Sequence, residues 1–222
     1  YKEELNEEQL NCATNGDGQC LVLAGPGSGK TRTLVYRVAY LLEKKVNPND
    51  ILLLTFTKKS ANNMINRVES LLGYYPKGLT GGTFHSIGAN ILRKFSEAIG
   101  FKSNFTIMDN EDSKQLIKDI SAKLKPKNEK HFPNTSVIFS IISFCKNAQI
   151  SINDYIKKES PHNVKFTSLI IQISDIYEKR KKASNIFDYD DLLFYWNKLL
   201  ENESIKNHFI NKFRYILVDE FQ

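Results

Sequence analysis

At 222 residues, 41% of them hydrophobic, the chain is long enough for one large domain or for a core domain carrying an insertion, and it can fill a real core. No apolar run reaches the ~18 residues of a membrane span, Tyr1-Lys-Glu-Glu4 begins no signal peptide, and Cys12, Cys20 and Cys145 lack C-x-x-C spacing beside four scattered histidines, so neither a disulfide framework nor a zinc site is supported. The net charge of +6 is concentrated in residues 101–185, which hold 15 Lys/Arg against 9 Asp/Glu while the remainder holds 16 of each, and this points to a polyanion partner or to a Lys-rich solvated surface. A soluble, intracellular, cytoplasmic protein is expected, its cysteines serving as buried small apolar residues.

Leu5-Asn6-Glu7-Glu8-Gln9 has the form of a helix start, with Asn6 as N-cap and Gln9 three residues on, as in a capping box. Residues 19–24 read as a buried strand, Ala24 to Thr31 as a Gly-rich loop, and Leu34, Val35, Val38, Leu41 and Leu42 repeat at helical spacing behind it. Pro48-Asn49-Asp50 ends that unit. Ile51–Phe56 is a second apolar strand, and Ala61, Met64, Ile65, Val68, Leu71 and Leu72 line one face of a helix. Two βα units in series predict a parallel sheet with right-handed crossovers. After a turn around Tyr74–Gly78, a short strand at Leu79–Thr83 leads into Phe84-His85-Ser86. Ser86 can cap a helix whose apolar face is Ile87, Ile91, Leu92, Phe95 and Ile99, and Gly100 stops it.

From 101 to 185 the pattern turns helical, apart from a short strand at Phe105–Met108. The faces are Leu116, Ile117, Ile120 and Leu124; then Val137, Ile138, Ile141, Ile142 and Cys145; then Leu169, Ile170, Ile173, Ile176 and Tyr177. Glu178-Lys-Arg-Lys-Lys-Ala183 reads as a solvated helix end. In Asp188-Tyr-Asp-Asp191, ahead of Leu192, Leu193, Trp196, Leu199 and Leu200, three carboxylates can hold a metal. Asp at a helix N-terminus also caps orphan N–H groups and suits the dipole, and capping is the expectation here. The last apolar strand, Tyr215–Val218, delivers Asp219-Glu220-Phe221-Gln222, and a chain stopping at the tip of a buried strand reads as a truncation or a limit of order.

Ala24 to Thr31, AGPGSGKT, carries the glycines and the Gly-Lys-Thr end of the phosphate-loop pattern in the strand, loop, helix setting that the pattern requires. Gly25, Gly27 and Gly29 let the backbone approach phosphate oxygens, with Pro26 and Ser28 between them, and the helix starting near Lys30 points its positive end at the same anion. Lys30 neutralises β/γ-phosphates and the Thr31 hydroxyl ligates Mg²⁺ in such a loop. A hydrophobic strand ending in Asp219-Glu220 supplies the partner: Asp219 for Mg²⁺, Glu220 to take a proton from attacking water, and Gln222 to orient that water or sense the γ-phosphate. ATP and Mg²⁺ are therefore the expected ligands.

In this order the motifs resemble the N-terminal half of a superfamily 1 DNA helicase of the UvrD/Rep/PcrA type, over the whole chain. Leu5–Gln9 resembles the family's adenine-reading Q motif, and AGPGSGKTR its Walker A followed by an Arg, here Arg32, that packs at the nucleotide base; Pro26 stands where the family often has Ala. ILLLTFTKKSANNMINRV (51–68) resembles the first single-strand-DNA motif, with Lys59-Ser60 in place of the commoner Lys-Ala. TGGTFHS (80–86) resembles the second, FDYDDL (187–192) the FDDL element, and ILVDEFQ (216–222) the DExQ motif, without the Asp-Thr-Asn that usually follows. The resemblance implies an α/β fold, a P-loop NTPase (RecA-like) parallel sheet flanked by helices and interrupted by a mostly helical inserted subdomain: core at 1–100, insertion at 101–185, core again at 186–222. It implies an ATP-driven motor on single-stranded DNA, moving 3′ to 5′ and opening a duplex junction, in DNA repair, replication restart or recombination, completed by a second RecA-like domain that brings arginine fingers.

The resemblance also assigns DNA to Phe56, Thr57, Thr83, Phe84 and His85. An aromatic at the carboxyl end of a parallel strand can stack on a base, and short polar groups can grip phosphate or sugar. On the residues alone, Phe56 reads equally as core and His85 as a capping or hydrogen-bonded structural histidine. The motor of a helicase-nuclease and a non-helicase NTPase are the rival readings. Retention of both Lys30 and Glu220 argues against a scaffold that no longer hydrolyses.

Overall fold

The computed structural model describes residues 1, 3–126, 129 and 131–221. In chain order the elements are α1 (Glu7–Asn15), α2 (Lys30–Glu43), β1 (Ile51–Thr55), α3 (Lys58–Leu72), β2 (Thr80–Thr83), α4 (Phe84–Phe95), β3 (Thr106–Ile107), α5 (Asn110–Leu124), α6 (Thr135–Ala148), α7 (Ile152–Glu159), α8 (Thr167–Ala183), β4 (Ile186–Phe187), α9 (Tyr189–Leu199), α10 (Glu203–Lys212) and β5 (Tyr215–Val218). The chain forms two compact units, one of residues 1–87 with 203–222 and the other of residues 88–202. Among the described residues no single helix is long and apolar enough to cross a membrane.

The first unit is built on a parallel sheet of order β2-β1-β5. β1 is buried at all five positions, which explains why Ile51–Leu54 is a continuous apolar run: a central parallel strand has both faces covered. Val35, Val38, Leu41 and Leu42 of α2 and Met64 and Val68 of α3 pack with Ile51 and Leu53 into one core. Leu71, read as part of the α3 core face, is exposed. The Asn6–Gln9 capping box forms as the sequence predicts, and Leu5, Ala13 and Tyr36 seat α1 on α2.

One expected strand is missing. Residues 19–24 form no strand, and Leu21 and Leu23 are 67% and 86% exposed. An apolar run states a demand for burial, and a strand exists only where a ladder partner takes its N–H and C=O groups. Glycines bracket this run, Gly18 and Gly27 both at positive φ, so the chain is free to leave the sheet on either side. Cys20, expected to be buried, is exposed for the same reason; Cys145 is buried and Cys12 lies between.

The second unit is a helical body with a core of its own. The three predicted faces on α5, α6 and α8 meet with Ile156 of α7 around Ile117, Ile138, Ile170 and Ile173, all fully buried. Its limits, 88 and 202, lie outside the expected 101 and 185. On the C-terminal side a second, small sheet extends the unit: β3 pairs in parallel with β4, and Phe187 stacks between Phe105 (centroids 4.4 Å) and Tyr195 (5.2 Å). That tie holds β4 and α9 to the insertion. α7, β4 and α10 are elements that the apolar pattern did not announce.

Candidate functional site

The Gly-rich loop leads directly into α2. Gly29 is the N-cap of α2 at φ +83° and Gly27 sits at +75°, backbone values that side chains other than glycine adopt only with strain. No side chain caps this helix end, so its first N–H groups form an anion-binding terminus. Ser28 Oγ donates to the Gly25 carbonyl at 2.7 Å, and Lys30 Nζ donates to the carbonyls of Ala24 (2.9 Å) and Gly25 (3.0 Å). The lysine thus folds back along its own loop, with its ammonium on main-chain acceptors that a phosphate oxygen can replace. Pro26 occupies the exposed turn.

The carboxylate partner comes from the far end of the chain. Parallel pairing sets Leu54 opposite Val218 and Thr55 opposite Thr83, and Asp219 N–H donates to Leu54 O at 2.9 Å. Asp219 is buried and its Oδ2 accepts from Thr31 Oγ1 at 3.1 Å, across 188 positions of sequence. A hydroxyl and a carboxylate oxygen side by side are hard donors of the kind Mg²⁺ takes when it keeps water and phosphate oxygens as its remaining ligands, so this donor set fits that ion. Glu220 follows at φ +55°, a left-handed conformation for a residue with a side chain, costing about 1–2 kcal/mol. Gln222 lies outside the described residues.

Gln9 reaches the same loop, while the Arg32 guanidinium is engaged with Glu4 and Tyr36. Gln9 Nε2 donates to the Ser28 carbonyl at 2.8 Å. Arg32 pairs with Glu4 at 3.2 Å, and its guanidinium lies 5.9 Å from the Tyr36 ring centre. The Tyr36 hydroxyl, and after it Arg32, hold the Glu4 carboxyl below its ordinary value against the opposing effect of desolvation.

The residues assigned to nucleic acid line the same carboxyl edge of the sheet. Phe56 directly follows β1 and is 78% exposed, which removes it from the core. Thr57 is the N-cap of α3, its Oγ1 accepting from Ser60 N at 3.0 Å. Thr83 ends β2, and the cap at the start of α4 belongs to it rather than to Ser86: Ser86 N donates to Thr83 Oγ1 at 3.1 Å, and Thr83 N donates to Ser86 Oγ at 3.0 Å. Phe84 and His85 form the first turn of α4, half-buried.

In the second unit the carboxylates of the Asp188–Asp191 stretch do cap α9, with the reciprocal bonds of a capping box. Sequence reasoning missed their other role. Lys181, from the run read as solvated, is 2% exposed, and its Nζ reaches Asp188 (2.5 Å), Asp191 (2.7 Å) and Glu178 (3.0 Å). Lys146 joins Glu178 and Asp191. Glu178, Asp188 and Asp191 have the spacing of a metal site, but the Lys181 ammonium already stands among them as their cation.

The UvrD/REP helicase N-terminal domain family matches the chain over residues 5–222. The chain is 35% identical over 220 residues to the ATP-dependent DNA helicase PcrA of Staphylococcus aureus, covering 98% of this chain and 30% of that protein. It is 37% identical over 225 residues to the ATP-dependent DNA helicase PcrA of Staphylococcus epidermidis, covering 99% of this chain and 30% of that protein. The chain therefore spans about 30% of the length of these relatives.

Proposed function

Because the chain belongs to the UvrD/REP helicase N-terminal domain family, we propose that it is the nucleotide-binding N-terminal portion of an ATP-dependent DNA helicase that moves along single-stranded DNA and opens duplex. The observation that carries the nucleotide half is the 3.1 Å bond between Thr31 and Asp219 at the mouth of the loop. Two motifs separated by most of the chain meet with the donor types that a metal–triphosphate complex needs.

In this reading the loop N–H groups of Gly25 to Lys30 bind phosphate oxygens, and Lys30 leaves the Ala24 and Gly25 carbonyls to neutralise the β/γ-phosphates. Thr31 and Asp219 would hold Mg²⁺, which would supply positive charge to offset that of the phosphates. Glu220 accepts the proton of the attacking water, Gln222 orients that water, Gln9 reads adenine and Arg32 packs at the base. Phe56 stacks on a base while Thr57, Thr83, Phe84 and His85 grip the strand beside it, on the edge where open α/β sheets take ligands. A shared edge is the reason that nucleotide state can alter strand affinity, the differential binding that a stepping cycle requires. The basic excess of residues 101–185, reduced by the ion-paired Lys146 and the buried Lys181, adds sequence-independent attraction to phosphate backbones. The 3′ to 5′ direction, a second RecA-like domain with its arginine fingers, a cytoplasmic setting and a role in DNA repair rest on the resemblance.

The test is ATP turnover by the full-length protein with and without single-stranded DNA. Turnover should rise on adding DNA, and Lys30→Ala should abolish both the basal and the stimulated rate. Turnover indifferent to DNA would set the reading aside in favour of a non-helicase NTPase.

A further inference from the structure

Gln9 is held at both ends of its amide. Its Oε1 accepts from the Asn6 backbone N–H at 3.1 Å, and its Nε2 donates to the Ser28 carbonyl at 2.8 Å. The two contacts fix which end is oxygen and which is nitrogen, since a main-chain N–H requires an acceptor and a carbonyl a donor. Each end keeps one further hydrogen-bonding position, one N–H and one lone pair, so base reading and loop contact are compatible in one side chain.

The Ser28 carbonyl matters because of the peptide it belongs to. The described chain contains no cis peptide bond, and in a trans peptide the C=O and the following N–H point in opposite directions. Holding Ser28 O on Gln9 therefore turns the Gly29 N–H away from α1. Gly29 is at φ +83° with no Cβ, and a Cβ built there would stand 2.9 Å from Gln9 Nε2. Its peptide can take several orientations at little cost, and Gln9 is the side chain that selects one. We propose that Gln9 is a positioning residue for the phosphate loop, setting the Ser28–Gly29 peptide so that the loop receives a triphosphate whether or not a base is attached to it. This rests on the nucleotide-site reading above and adds to it a phosphate-directed role for a residue otherwise assigned to adenine.

The experiment uses two probes on the full-length protein, MgATP and magnesium tripolyphosphate, which has the phosphates and no base. Gln9→Met keeps the length and helix preference of the side chain and removes both hydrogen bonds. Losing one neutral hydrogen bond to the loop should weaken tripolyphosphate binding about 3- to 10-fold, and MgATP binding by at least as much. Asn6→Ala is the control, because it damages the same capping box from its other side while leaving the Gln9 link to Ser28 in place; tripolyphosphate affinity should stay within about 2-fold. Unchanged tripolyphosphate binding in Gln9→Met, with MgATP alone weakened, would overturn the proposal by confining Gln9 to the base. An equal loss in Asn6→Ala would overturn it by tracing the effect to fraying of α1. In the unmodified protein the Gln9 side-chain amide resonances should move on adding tripolyphosphate, and their failure to move overturns the proposal even if the Met variant does not fold. A wild-type protein that binds neither probe sinks the nucleotide-site reading itself, and this inference with it.

Discussion

Replacing Lys181 by Met should destabilise the second unit by about 3–5 kcal/mol, the range for removing one partner of a buried ion pair. Lys181 Nζ is the group that Glu178, Asp188 and Asp191 share at 2.5–3.0 Å. Without it, among the described residues, three carboxylates face Lys146 as their remaining cation, and buried Asp188 keeps the Tyr177 hydroxyl at 2.8 Å and the Asp191 backbone N–H at 2.7 Å. Against a total stability of about 5–15 kcal/mol the loss is large, a drop in midpoint of roughly 6–20 °C for a chain of this size. The single tryptophan, Trp196, lies on α9, the helix that Asp188 caps, so its fluorescence during urea denaturation follows this unit.

The pH dependence has a definite sign. Burial pushes the Asp188 carboxyl up, but Lys181, Lys146 and its hydrogen bonds outweigh that and hold it below the usual range. Its contribution is therefore present above the unfolded value near ~3.9 and is lost as pH falls through the lower folded one. Burial pushes Lys146 and Lys181 down, yet the carboxylates around them prevail and raise both. Their contribution is full below ~10.4 and is lost as pH rises through the folded values. Asp191, raised by burial and by its Asp188 and Glu178 neighbours, opposes the network once ionised. In the Lys181→Met protein the remaining carboxylates rise further, so the deficit should be largest near pH 7 and should shrink toward pH 4.5, where the unpaired groups take up protons. A loss below about 1 kcal/mol at pH 7, or a deficit independent of pH, would refute the view that Lys181 is the cation of this cluster.

Two further outcomes follow from the strand ends. Glu220→Gln should leave nucleotide binding in place and stop hydrolysis, because the group removed acts on water rather than on phosphate; near wild-type turnover would show that another residue is the base. Phe56→Ala should weaken single-strand binding by about 1–3 kcal/mol, the range for base stacking on an aromatic, with basal nucleotide affinity nearly intact. Gel-shift or anisotropy titrations alongside nucleotide titrations would measure both, and equal loss in the two would mean that the exposed ring serves the fold instead of the strand.

What the sequence disclosed and what it withheld divide along physical lines. Local chemistry was legible: Asn6 and Gln9 form their capping box, Gly100 ends the helical stretch before it at φ +79°, and the apolar faces of α5, α6 and α8 do meet. These depend on a few neighbouring residues or on periodicity. Lys181 was misread because a basic run at a helix end is ordinarily solvated, and only the return of the chain through β4 into α9 brings Asp188 and Asp191 onto it. The cap lies three residues, nearly one helical turn, before Ser86, since Thr83 and Ser86 exchange bonds and either is a plausible cap from sequence. The apolar run at 19–24 reads as a buried strand and is neither strand nor buried, because composition names no partner strand.

Register is what makes the candidate site out of distant motifs. Asp219 meets Thr31 because β5 lies on β1 with Val218 opposite Leu54, and the ladder continues one step further through the Asp219 N–H to Leu54 O. Side chains alternate along a strand, so a slip of one residue would turn Asp219 away from the loop and bring Glu220 or Val218 to Thr31 instead. The carboxylate proposed to hold the metal and the one proposed to act on water would then exchange places or be lost. Continuous burial of β1 resists such a slip poorly by itself, since a strand apolar on both faces tolerates either register. The discriminating feature is therefore at the strand end: β5 stops at Val218, Asp219 N–H makes one last bond to Leu54 O, and the chain bends away at Glu220. The left-handed backbone at Glu220 is unfavourable locally, and it persists here at the step where the chain must stop being a strand to present two adjacent carboxylates for different work.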